Sequence, residues 1–263
     1  MNTSRLTLRR LAAVVPLVLF TSLSHADIND GLMAWWKLDG NALDSSANGN
    51  NGTIHGNVTP TRDHNGQEGM ALKFWQGGDE VSYISVPDSE TLHSLSQRTI
   101  SIWFRYDAGD KHYAIEPMFY QGDSPEDGCF ALRELGTWFY PTDSTVQTIS
   151  SGDGGCQTGL ASLAPHDNRW HQVTTVIDLA VDHTMVMYID GKHVQTLHDR
   201  YSSFNRTTTG VLLAWSSEQP AKYKPFHGAL DEVRYYGRAL TKEEVRELYK
   251  ATQAISGAPT LLP

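Results

Sequence analysis

The sequence predicts an all-β chain, an antiparallel β-sandwich or jelly roll with one short C-terminal helix. Three features predict it: short segments with two-residue alternation, turn residues that punctuate them at regular spacing, and a single stretch of helical periodicity. In chain order the strand segments begin with GLMAWWKL, GMALKFW and VSYISVP, each bounded by Gly, Pro or Asx. In TISIWFRYD, Ile100, Ile102, Phe104 and Tyr106 share one face while Ser101, Trp103 and Arg105 share the other. AIEPMFYQ, CFALREL and WHQVTTVIDL follow. TMVMYIDGKHV alternates Met185, Met187 and Ile189 against Val186 and Tyr188, then turns at Asp190-Gly191. Such a pair accepts the positive φ of a tight hairpin turn. GVLLAWSS follows. In TKEEVRELYKAT, Thr241 and Glu244 have capping-box spacing, and Val245, Leu248 and Tyr249 form a short apolar stripe, which predicts a helix.

The first 26 residues stand apart from this pattern. Arg5, Arg9 and Arg10 precede the apolar run LAAVVPLVLFTSL, and Ser24 and Ala26 supply small residues before Asp27. This is the layout of a secretory signal peptide, with a run too short to span a bilayer. The expected organisation is a signal peptide over 1–26, one domain over 27–252 and a loose tail over 253–263. The expected location is secreted or periplasmic. The formal charge is −9, and about −12 without the three leader arginines. That balance excludes nucleic acid as a natural partner and favours neutral ligands and metal cations. The two cysteines, Cys129 and Cys156, favour one disulfide in an exported chain over two free thiols.

The ordered series WWKLDGNALDSSANGNNGTIHG, GMALKF, ISVPDSETL, TISIWFR, NRWHQV, MYIDGKHV and FHGALDEVRYYGRALTKEEVRELY resembles bacterial laminin-G-like domains of the concanavalin A-like jelly-roll superfamily. The resemblance spans nearly the whole mature chain. It implies a carbohydrate-binding or adhesive module, often with a structural calcium, although relatives of the same fold include glycosidases and polysaccharide lyases.

The loop ALDSSANGNNGTIHG is too polar and glycine-rich for a helix or a buried strand. Asp44, Ser46 and Asn48 alternate ahead of Gly49, the first half of a calcium-wrapping pattern. The second half is missing, because an EF-hand would need Glu where this chain has His55. The resemblance implies that Asp44 shares a cation with Asp231 of the closing segment. It also implies Gly at position 47, where this chain has Ala47. Against calcium stands a plain Asn-Gly turn, with Asp231 pairing Arg234 or capping backbone.

No nucleophile elbow, His-Glu-x-x-His or phosphate-binding glycine loop is present in the sequence. The acidic pairs Asp79-Glu80, Glu126-Asp127, Asp231-Glu232 and Glu243-Glu244 are adjacent residues, which a strand would point to opposite faces. A polysaccharide lyase would take its base and its uronate-neutralising cation from His112, Tyr113, Arg133 and Tyr140. His171, in NRWHQV, reads as structural. The alternative function is therefore a polysaccharide-degrading enzyme, lyase or glycosidase, on the same fold.

Aromatics carry the binding reading. Trp215 precedes the polar loop that runs to Tyr223, and Trp75, Trp138 and Tyr140 are further candidates for stacking on a sugar face. Trp35, Trp36, Trp103 and Trp170 lie in strong strand patterns and are assigned to packing. The expected partner is a glycan or polysaccharide. A protein bound through the same rim is a third reading.

Overall fold

The computed structural model describes residues 27–74, 81–93, 96–107, 115–122, 135–150, 158–163, 165, 167–198, 209–216 and 224–253. In chain order the strands begin with β1 (Leu32–Trp36), β2 (Thr53–His55), β3 (Thr59–Thr61), β4 (Ala71–Phe74) and β5 (Tyr83–Val86). Next come β6 (Gln97–Tyr106), β7 (Glu116–Gln121), β8 (Leu135–Tyr140), β9 (Thr145–Ser150) and β10 (Thr158–Leu163). The last are β11 (His171–Asp178), β12 (Thr184–Ile189), β13 (Lys192–His198), β14 (Val211–Leu213) and β15 (Gly228–Tyr236), before α1 (Lys242–Gln253).

Two antiparallel sheets form a sandwich. The eight-stranded sheet runs β13-β12-β11-β6-β15-β4-β3, with β1 also paired to β15, and the seven-stranded sheet runs β10-β9-β8-β7-β14-β5-β2. Alternation decides what lies between them. Ile100, Ile102, Phe104 and Tyr106 of β6 enter the core together with Ile84 and Val86 of β5 and with Val211 and Leu213 of β14. Residues of the opposite parity face outward. Trp36 is fully buried, and its indole N–H donates to the Asn50 carbonyl at 2.8 Å, so the ring is sealed without an orphaned donor.

α1 covers part of the outer face of the eight-stranded sheet. Val245 and Leu248 pack with Val176, Tyr188, Tyr236 and Leu240. The expected capping box is formed: Thr241 N–H donates to Glu244 Oε2 at 2.7 Å, and Glu244 N–H donates to Thr241 Oγ1 at 3.2 Å. The β12-β13 hairpin turns at Asp190 (φ 51°) and Gly191 (φ 67°). Asp190 also holds His171, whose Nδ1 lies 2.8 Å from Asp190 Oδ2 and whose Nε2 lies 3.1 Å from Asp167 Oδ1. Both partners only accept, so both ring nitrogens donate and the ring is an imidazolium. Burial works against that charge, but the two carboxylates hold the imidazole above its ordinary value. His171 thus fastens a turn to a hairpin, the structural role read from the sequence.

Candidate functional site

Two regions concentrate chemistry, one on the outer face of each sheet. The first is built on the seven-stranded sheet. Ile84 and Val86 point inward, so Tyr83 and Ser85 point outward, half-buried. His55 of β2 pairs with Tyr83 across the strands, and their rings stack at 4.4 Å and 14°. His55 Nε2 is also 2.7 Å from Ser85 Oγ. On the other side of β5, Ala214 takes φ 66° just after β14, and Trp215 then packs against Tyr83 at 4.8 Å. Trp215 is half-buried. Three half-buried rings therefore run in contact from β2 across β5 to the end of β14. Further along the same sheet, Tyr120 of β7 packs with Ile115, Tyr140 and Leu212. Leu212 lies directly between Ser85 and Tyr120 in the ladder.

Of the aromatics proposed from sequence, Trp215 and Tyr140 thus lie on this sheet. Trp138 is a residue of β8, paired with Pro117 and Gln147. Trp75 and Tyr223 lie outside the described residues, as do His112, Tyr113 and Arg133 of the lyase reading and both cysteines. Sequence reasoning missed His55, Tyr83 and Tyr120. The outward parity of Tyr83 was available in VSYISV, but the pairing that brings His55 and Trp215 to either side of it was not.

The second region surrounds Asp231 on the eight-stranded sheet. Asp231 Oδ2 lies 2.5 Å from His64 Nδ1, and His64 Nε2 lies 2.6 Å from the Thr252 carbonyl near the end of α1. A carbonyl can only accept, so Nε2 carries a proton, and a second proton sits between Nδ1 and Oδ2. Burial drives Asp231 up to about 6, against the hydrogen bond from His64. The His64 imidazole is held above its ordinary value by Asp231, although burial opposes this. The pair is therefore a neutral unit sharing one proton. His64 also stacks on Trp103 at 4.3 Å, and the Trp103 indole N–H donates to Thr252 Oγ1 at 3.0 Å. Asp63 completes the group: one ligand atom from each of Asp63, His64 and Asp231 lies within 4.8 Å of the others, which is spacing that could hold a metal ion. A cavity of about 350 Å³ adjoins them, lined also by Trp35, Asp39 and Glu232.

The loop at Asp44 is a different object. Asp44 Oδ1 accepts from Trp35 N–H at 2.9 Å and Ser46 N–H at 2.8 Å, and Oδ2 accepts from Ser46 Oγ at 2.7 Å and Asn50 N–H at 2.8 Å. A carboxylate has about four lone-pair sites, and all are taken. Asn48 turns its NH2 to the Leu32 and Met33 carbonyls, both at 2.9 Å. Its donors, not its oxygen, face that strand. The structure does not group Asp44 with Asp231, and the residues of the loop do not fit calcium. Asp231 pairs with His64 rather than Arg234, which instead holds Glu232 at 2.9 Å. Positive φ falls on Gly49 rather than Ala47, so alanine is accommodated. Trp35, assigned to packing, is half-buried at the cavity, with its indole Nε1–H donating to Glu232 Oε2 and the Arg234 guanidinium 4.0 Å from its ring.

Comparison with known proteins agrees with this architecture. The domain description of the concanavalin A-like lectin/glucanases superfamily matches residues 76–246. None of the curated proteins compared matches the sequence. The binding domain of botulinum neurotoxin serotype D/C superposes with a TM-score of 0.67 at 14% identity, covering 86% of this chain and 53% of that one. The binding domain of Paraclostridial Mosquitocidal Protein 1 gives 0.67 at 16% identity, with the same 86% and 53%. This chain therefore spans about half the length of those domains. Domain 4 of AbnA, a GH43 extracellular arabinanase from Geobacillus stearothermophilus solved with arabinotriose, gives 0.58 at 20% identity, covering 83% of this chain and 98% of that domain. At such identities the likeness concerns the fold. The family match runs over most of the chain, through the core strands β6, β11, β12 and β15, and the chain belongs to the concanavalin A-like lectin/glucanases superfamily.

Proposed function

We propose that this protein is an exported glycan-binding module that seats a sugar chain on the outer face of its seven-stranded sheet. The observation that carries this reading is the contiguous, half-buried His55–Tyr83–Trp215 run on the outward parity of β5. Sugar rings present C–H faces that stack on such surfaces, while their hydroxyls take polar groups such as the Ser85 hydroxyl. Support also comes from the arabinotriose complex of the AbnA domain, similar along its whole length. The acidic balance of the chain favours a neutral glycan over a polyanion. The calcium expected from the sequence is not assigned to the Asp44 loop, and the cation part of this proposal moves to Asp63, His64 and Asp231.

Retention on a panel of immobilised polysaccharides, scored together with new reducing or unsaturated ends, tests the reading. Binding without cleavage is expected. Trp215→Ala should weaken binding by about 1 to 3 kcal/mol, roughly 5- to 150-fold. Its thermal unfolding should stay close to that of the parent. Loss of the fold in the variant, or unchanged binding to every glycan, overturns the assignment. Product release would move the protein to the polysaccharide-degrading class.

Export is part of the same proposal and brings a second expectation. Chain recovered from the growth medium or periplasm should start at Asp27 and carry Cys129 linked to Cys156. N-terminal and non-reducing peptide mapping by mass spectrometry checks both. An intact leader, or two free thiols after export, removes that part.

A further inference from the structure

We propose that Asp63, His64 and Asp231 form a binding site for a borderline divalent transition ion of the zinc and cobalt type, rather than for calcium. The glycan reading and this one rest on opposite sheets and stand independently. Three observations carry the site.

The first is pre-orientation of the histidine. Nε2–H is committed to the Thr252 carbonyl at 2.6 Å, and the ring is stacked on Trp103, so tautomer and ring plane are set by groups outside the ligand set. Metal-binding histidines are oriented in this way, through the nitrogen that does not touch the ion. Nδ1 is left facing the carboxylates.

The second is a pair of carboxylate oxygens with no donor among the described residues that stay open to the cavity. The Asp231 side chain is only 2% exposed, and Oδ2 takes both of its contacts, from His64 Nδ1 and His64 N–H. Oδ1 has no hydrogen-bond partner among the described residues. Asp63, 7% exposed, accepts from Asn65 N–H and Gln67 N–H through Oδ1 alone, which fixes its carboxylate and leaves Oδ2 without a partner among them. Two such oxygens, held in place by the bonds to their partner oxygens and facing the cavity, can accept a cation or water there.

The third is the surrounding field and space. Four carboxylates, Asp39, Asp63, Asp231 and Glu232, line the cavity against two cations, Lys37 and Arg234, and Arg234 is paired with Glu232. The local excess of carboxylates favours a cation. The cavity offers room for the waters that would complete its shell.

The donor set selects the ion. Calcium takes six to eight oxygens, whereas one imidazole nitrogen with two carboxylates suits zinc, cobalt or nickel. Bonds of about 2.0 to 2.1 Å at a tetrahedral angle place neighbouring ligand atoms roughly 3.3 Å apart. The Nδ1 to Oδ2 separation must therefore widen from 2.5 Å, a movement of under about 1 Å that a turn of Asp231 onto Oδ1 would supply. As the ion enters, the proton between His64 and Asp231 leaves to solvent, so charge and atoms balance.

Calorimetric titration of the full mature chain with zinc chloride, set beside calcium chloride, tests the site. One zinc per chain is expected, with no comparable calcium binding. Cobalt should give a visible d–d spectrum that zinc abolishes. His64→Gln and Asp63→Asn should each lower zinc affinity by at least about tenfold. Asp63→Asn keeps an Oδ1 acceptor for Asn65 and Gln67, so it carries the test if His64→Gln does not fold. Absence of zinc binding, tighter binding of calcium, or equal zinc binding by parent and Asp63→Asn overturns the proposal, the last outcome placing the ion on other histidines.

Discussion

Asp44→Ala is expected to destabilise the fold by about 3 kcal/mol and to lower the melting temperature by roughly 6 to 12 °C for a chain of this size. The carboxylate accepts four hydrogen bonds, and three of its donors are backbone N–H groups of Trp35, Ser46 and Asn50. Trp35 N–H belongs to β1, so the loss reaches the strand that pairs with β15. Hydrogen bonds to a charged acceptor contribute more than neutral ones, and a part-buried N–H left without a partner costs about 1 to 3 kcal/mol. Asp44→Asn should cost about half as much, because the amide keeps one acceptor oxygen and presents its NH2 to donors on the other side. Thermal unfolding of parent and variants in buffer, in calcium and in chelator checks the result. A loop organised by hydrogen bonds predicts that chelation leaves the parent unchanged while the substitution lowers it. If chelation reproduces the effect of Asp44→Ala, the loop is a calcium site after all.

The sandwich was legible where one face is apolar and the other polar. β6 has that form, and its four predicted core residues are all in the core. The hairpin at Asp190-Gly191 and the capping box at Thr241 and Glu244 were legible because each depends on residues adjacent in sequence. The β8-β9-β10 meander was not. Its inward positions include Thr137 and Thr148, which bury their hydroxyls by bonding to each other at 3.1 Å, and Thr148 then reaches Thr175 across the sandwich at 2.9 Å. A core made partly of threonine does not announce itself as an apolar stripe. β2 was hidden inside the polar loop for another reason: it is an exposed edge strand of three residues, with no buried face to encode.

The sites divide in the same way. Trp215 stood out as a candidate because a tryptophan beside a polar loop is conspicuous, and Asp231 because the closing segment resembles its family. The partner of Asp231 could not be found, since His64 is 167 residues away and sits in TRDHNG, which reads only as a turn. What joins them is the β15–β6 register that sets Asp231 opposite Trp103, and the helix end that delivers Thr252 to the other side of the imidazole. Those are tertiary facts. Local patterning contains the residue types but not the meeting.

Glu116→Gln is expected to stabilise the protein at neutral pH by about 3 kcal/mol, the second large effect. Glu116 starts β7 with its side chain on the inner face, opposite Phe139, and it is fully buried. Its Oε2 accepts from His227 N–H at 2.8 Å and its Oε1 from Tyr106 Oη–H at 3.4 Å. Burial outweighs both and pushes the carboxyl up to about 8 from its ordinary 4.5. A folded value above the unfolded one means that its contribution is fully present below about pH 4.5 and is lost as pH rises towards and through about 8. At pH 7 the unfolded chain has already lost this proton, so folding must take it back. Glutamine carries no such cost, can accept from His227 N–H through its carbonyl, and can donate to the Tyr106 oxygen. Melting curves measured from about pH 5 to about pH 8 should fall with pH for the parent and be flatter for the variant, with the gap opening towards neutrality. The slope that remains above pH 6.5 should come from His171 and His64, whose raised imidazoles lose their stabilising charge in that range, and His171→Gln should remove part of it. Identical slopes for parent and Glu116→Gln would show that the buried carboxyl keeps an ordinary affinity for its proton.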